Sequence, residues 1–115
     1  MAHSMYILLR EEIDNGFAGL AIGHGVLACY LKFKDDPDMI EWLDKSYLKR
    51  LCSLNEKEFS KAKNYDKYVL MTESSLGGEE TALVFCPRPN DKWEKSFKFY
   101  RLWKGKIVSG DGPSS

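Results

Sequence analysis

One stretch limits what this chain can fold into more than any other. Residues 16–31, GFAGLAIGHGVLACYL, hold four glycines, three alanines and a histidine, with no lysine, arginine or acidic residue. Leu20, His24, Leu27 and Leu31 recur at spacings of four, three and four, which is one face of a helix. Glycine inside a helix costs about 1 kcal/mol against alanine, so something must offset the cost. Close packing of the helix on a sheet does so, because small residues let backbones approach. An anion held at the helix N-terminus, with Gly16 and Gly19 leaving the backbone N–H groups open, would do so as well. A membrane span needs about 18 or more uninterrupted apolar residues, and glycine and histidine break this run, so no membrane helix is expected.

The flanking segments read as alternating strands and helices. Residues 5–11 open the chain as a buried strand, and DNG at 14–16 is turn chemistry. KFKDDPD forms a loop in which Asp38 or Asp36 caps the next helix with Pro37 in its first turn. LKRLCSL is a second strand. Asn55 followed by Glu58 is a capping-box start to a helix that turns Phe59 and Ala62 inward. KYVLMTE and TALVFCP form a hairpin around Gly77 and Gly78, ended by Pro87 and Pro89. NDKWEKSF suits a short helix, and KFYRLW a final extended segment. The expected fold is α/β: a single three-layer-like domain, a mixed sheet of about four strands with flanking helices. The domain is expected over residues 5–106, with residues 1–4 and 107–115 flexible.

Composition narrows the function classes. At 115 residues, 43% hydrophobic and 30% charged, the chain suits one globular domain. Cys29, Cys52 and Cys86 form an odd set without CxxC spacing, which fits buried thiols in a reducing, cytoplasmic setting. No signal peptide, metal-ligand spacing or phosphate-loop motif is present, so no metal, organic cofactor or membrane partner is expected. Net charge is zero, but residues 88–106 carry seven basic against two acidic residues. There KWEKSFKFYRLWK interleaves rings with cations, and Lys92, Lys95, Lys98 and Arg101 are candidate RNA contacts. The same rings also serve a core, with the cations left in solvent.

Element order and the small-residue helix after the first strand resemble the peptidyl-tRNA hydrolase 2 family, over residues 5 to about 103. Gly16 and His24 match a glycine and a histidine of that family's first helix. YVLMTESSLGGEETALVFCPRP resembles its strand, loop, strand and closing proline. The resemblance implies cleavage of the peptidyl-tRNA ester, and tRNA or peptidyl-tRNA as partner. Three positions depart from the pattern: Phe17 stands at the family's lysine, Ala21 at its glutamine and Thr72 at its loop aspartate. Ester hydrolysis needs a group that activates water and donors for an oxyanion, so the chemistry is either lost or rebuilt. The rebuilt set would be catalytic His24, Glu73 and Ser74, with Gly16, Phe17, Gly19, Thr72 and Ser75 binding substrate. His24 also fits the edge of a core beside Leu20, Leu27 and Leu31. The competing function is a non-catalytic protein-interaction module that keeps the fold as a homodimer.

Overall fold

The computed structural model describes residues 2–105; the tail expected at 107–115 lies outside them. Strand β1 (His3–Arg10) leads into helix α1 (Asn15–Phe33) and a short helix α2 (Pro37–Glu41), which continues into a π-helical turn, Trp42–Ser46. Then come β2 (Leu48–Leu54), α3 (Glu56–Ala62), β3 (Tyr68–Glu73), β4 (Glu79–Phe85), β5 (Arg88–Pro89) and β6 (Arg101–Leu102). The sheet runs β3-β4-β1-β2-β6, with β5 pairing beside β4 on β1. β1 and β2 are parallel, joined by the helical crossover; every other pair is antiparallel. The pairing of β3 with β4 shifts register at a bulge between Met71 and Thr72.

The α/β class and the order of the longer elements match the sequence reading, whereas the strand count does not. There are six strands rather than about four, because two-residue strands β5 and β6 add to the sheet. The segment read as a short helix forms two 3-10 turns, Asn90–Lys92 and Lys95–Phe99. The N-terminal residues read as flexible are part of β1 from His3 onward. His3 Nε2 lies 3.0 Å from Asp38 Oδ1, and Ser4 Oγ donates to Asn90 Oδ1 at 2.6 Å.

Strand alternation divides the core. Tyr6 and Leu8 point to one face with Phe59, Ala62, Phe85, Trp93 and Phe97. Met5, Ile7 and Leu9 point to the other, against α1, α2 and Trp42. Local chemistry fixes the ends of the elements. Asp36 accepts from Asp38 N at 2.9 Å to cap α2, with Pro37 in the first turn. Asn55 and Glu58 close a reciprocal capping box at 2.8 and 3.0 Å. Gly77 and Gly78, at φ 71° and 81°, make the left-handed turn that joins β3 to β4.

Helix α1 sits on the sheet by its smallest side chains. Ala18, Ala21, Gly25 and Cys29, spaced three, four and four apart, are buried. The leucine stripe faces out: Leu20, Leu27 and Leu31 are 49%, 59% and 58% exposed. His24 is exposed with them, so it does not lie at a core edge. The reason is packing depth. A Cβ on Gly25 would stand 2.5 Å from Val84 Cγ2 and 3.3 Å from Met71 Cγ, so this line of the helix admits nothing larger. Close approach to the sheet thus accounts for Gly25 but not for Gly16, Gly19 and Gly23, where a Cβ would meet nothing within 4 Å. At 19 residues α1 is long and apolar enough to cross a membrane, contrary to the sequence reading, yet it lies against β3 and β4.

Candidate functional site

Three places carry the side chains that the sequence singles out. The first is the shoulder where α1 passes the β3–β4 turn. His24 and Glu73 come within electrostatic reach of each other there. The Glu73 carboxylate accepts from Ser75 Oγ at 2.8 Å and from Ser75 N at 3.2 Å. These bonds, led by the hydroxyl's and helped by the charge of His24, hold its pKa below the usual carboxylate value. A carboxylate so stabilised is a weaker base; Glu73 is spent on capping the 3-10 turn Ser74–Leu76, and the Ser75 hydroxyl on the Glu73 carboxylate rather than on substrate. His24, Thr72 and Ser74 are exposed and Glu73 half-exposed, so water is not excluded. Gly16 and Gly19 are open. Phe17 is half-buried and packs against the cluster of Leu9, Ile13, Ala18, Ala21 and Ala82.

The second place is the basic, ring-rich C-terminal segment. Trp93 and Phe97 are buried against Tyr6 and Phe85, as a core demands, while Phe99 is 74% exposed. The four cations proposed for RNA do not form one surface. Arg101 pairs with Glu58 at 3.0 Å and Glu11 at 3.6 Å. Lys92 borders a separate cleft with Asp38, Asp66 and Arg88. Lys95 is exposed, with no hydrogen bond or ion pair among the described residues. Lys98 lines a cavity of about 300 Å³ together with Arg50 of β2. The sequence reading missed Arg50, although it lies two residues from Cys52 and so on the same side of the strand.

The third place is the outward face of α1. Leu20, Leu27 and Leu31 continue into half-exposed Ile40, Leu43 and Tyr47. A shallow apolar groove runs between Gly23, Leu27 and Tyr30 on α1 and Leu43 and Tyr47 beyond it. The Lys49 ammonium sits 3.5 Å from the centre of the Tyr47 ring at its border. A surface helix ordinarily turns charged and polar residues outward; this one turns out leucine and glycine. No protein-family model matches the chain, and no curated protein matches its sequence.

Proposed function

We propose that this domain is an interaction module that pairs with a second copy of itself through the outward face of α1. The carrying observation is an exposed helix face that holds Leu20, Leu27 and Leu31 and no charged side chain from Gly16 to Leu31. Contiguous apolar surface of this kind marks interaction sites on folded proteins. The face also complements itself. In an antiparallel pairing about a two-fold axis midway between residues 21 and 22, Leu20 lies opposite the partner's Gly23 and Leu27 opposite its Gly16. Each knob meets a position where a side chain is missing, and an isologous dimer has this reciprocity. The open glycines then permit the close helix approach that small residues allow. The three free, buried cysteines suit such a module in a reducing, cytoplasmic setting.

Sedimentation velocity across a concentration series tests this, with Leu27→Glu as the variant. A dimer of twice 13.2 kDa is expected for the wild type, and a folded monomer for the variant. A wild-type monomer at several hundred micromolar overturns the proposal. Co-sedimentation of that monomer with lipid vesicles would assign the same face to a membrane surface instead.

A second reading keeps one observation, the proximity of His24 to Glu73. In it the fold is of the peptidyl-tRNA hydrolase 2 type and the shoulder binds or cleaves peptidyl-tRNA. The two readings compete for one surface, because the pairing sets His24 opposite the partner's Gly19. Release of deacylated tRNA by the wild type, lost in His24→Ala and Glu73→Gln, would favour hydrolysis. No turnover together with no tRNA binding at low salt removes the RNA reading of this shoulder.

A further inference from the structure

On the sheet face opposite α1, the C-terminal 3-10 turns arch over β1 and β2 and leave the cavity of about 300 Å³ that Arg50 and Lys98 line. That volume falls within the range of small-ligand sites. Its floor and walls are Tyr6, Trp93, Phe97 and Tyr100; Tyr6 stands edge-on to Trp93 and Phe97 at 4.6 and 5.2 Å between ring centres. Its charged groups, Arg50 and Lys98, are both cations. Neither Arg50 nor Lys98 makes an ion pair or hydrogen bond among the described residues. The Tyr6 hydroxyl makes no hydrogen bond among them, and Trp93 Nε1 is a buried donor without a partner. The Asn90 side chain spends its oxygen on Ser4, leaving its amide N–H groups to donate. Among the described residues, no acidic side chain lines the cavity.

We infer that this cavity binds a nucleotide: a planar ring against the aromatic wall, with a phosphate between Arg50 and Lys98. Two cations left unpaired among the described residues match the charge of a phosphate group, and charge-assisted bonds to it are the strong ones. Tyr6, Trp93 and Phe97 are buried against one another and form the floor, while half-buried Tyr100 offers the ring face on which a base stacks whatever its identity. Burial pushes the Tyr6 phenol above its usual pKa, so its hydroxyl keeps its proton and serves as a donor to the ligand. The site lies on the far side of the sheet from α1 and stands whether or not α1 pairs with a second copy.

The shared chemistry is a base carrying a phosphate, and its source is either a free nucleotide or single-stranded RNA. Isothermal titration of the full chain with adenosine 5′-monophosphate tests it at low salt. Saturable binding is expected, and adenosine and inorganic phosphate alone should each bind less tightly. The double variant Arg50→Ala/Lys98→Ala should weaken binding about tenfold or more, as loss of charged hydrogen bonds does, while Lys34→Ala, at the end of α1 on the other face of the sheet, leaves it unchanged. A tetra-adenylate that binds more tightly than the mononucleotide, and loses that affinity in the double variant, assigns the site to single-stranded RNA. Equal affinity assigns it to a free nucleotide. No saturable binding of adenosine 5′-monophosphate at millimolar concentration, or unchanged affinity in a double variant that is folded by circular dichroism, overturns the proposal.

Discussion

Gly25 and Val84 set the depth at which helix α1 rests on the sheet. A Cβ on Gly25 would come within 2.5 Å of Val84 Cγ2, whereas one on Gly23, two residues earlier, would meet open space. Two glycines of one helix thus do different things. Gly25→Ala should lower unfolding free energy by about 1–2 kcal/mol, overpacking outweighing the gain in helix propensity. Gly23→Ala, placed in the Leu27→Glu background to keep the chain monomeric, should raise it by up to about 1 kcal/mol. Urea unfolding of both variants checks the contrast.

In the proposed pairing, Gly23→Ala acts in the opposite sense. If Leu20 of one copy sits over Gly23 of the other, a methyl there pushes the helices apart. The single variant should therefore weaken self-association while stabilising the monomer, which sedimentation and denaturation measured on one protein will separate.

Asp36 and Lys67 give the fold a defined pH response. Burial alone would raise the Asp36 pKa, but hydrogen bonds from Lys67 Nζ at 2.7 Å and Asp38 N at 2.9 Å hold it below the ordinary value. The bond to Asp36 raises Lys67 in turn. A depressed carboxylate contributes stability above its unfolded pKa of about 3.9 and loses it as pH falls through the lower folded value. A raised lysine contributes fully below about 10.4 and loses its share as pH climbs through the higher folded value. Between those limits Asp36→Asn should cost about 1 kcal/mol, reduced from a larger figure because Lys67 is partly solvated. The two proteins should converge in stability at strongly acidic pH, followed by urea melts from pH 2 to 7.

The thiols of Cys29 and Cys86 are pushed up to about 12 and that of Cys52 to about 11, chiefly by burial. A thiol alkylating reagent at pH 8 should therefore leave the folded protein unmodified over minutes and react with all three cysteines in guanidinium. Rapid labelling of Cys29 in the folded state would mean that α1 lifts from the sheet readily.

The elements written in short-range chemistry were legible in the sequence. The capping box of Asn55 and Glu58, the Gly77–Gly78 turn and the inward side chains Phe59 and Ala62 lie where their residue types require. The orientation of α1 was not, for a definite reason. Two stripes on that helix share nearly the same spacing, Leu20-His24-Leu27-Leu31 and Ala18-Ala21-Gly25-Cys29. Periodicity gives the bulky stripe to the core, but the sheet beneath is already filled by Ala82, Val84 and Met71, and only small side chains fit against it. Strands β5 and β6, at two residues each, are too short to show any alternation. Arg50 escaped notice because a cation in a strand looks like ordinary surface until the cavity beside it is known.

The bulge at Met71 and Thr72 has a consequence for how these molecules crowd together. Its extra residue is Thr81 of β4, opposite Met71 and Thr72 of β3, the outer strand, where a regular run of free backbone groups would template another chain. A bulge adds twist to the strands it joins, which works against a flat edge, and Lys32 of α1 occupies the Tyr68 carbonyl at the other end of β3. On the opposite rim, Lys49 and Arg50 put charge on the stretch of β2 that β6 leaves uncovered. The Lys32 contact on one rim and the cations on the other work against strand-by-strand growth into fibres, so a concentrated solution of this protein should stay clear of cross-β aggregates.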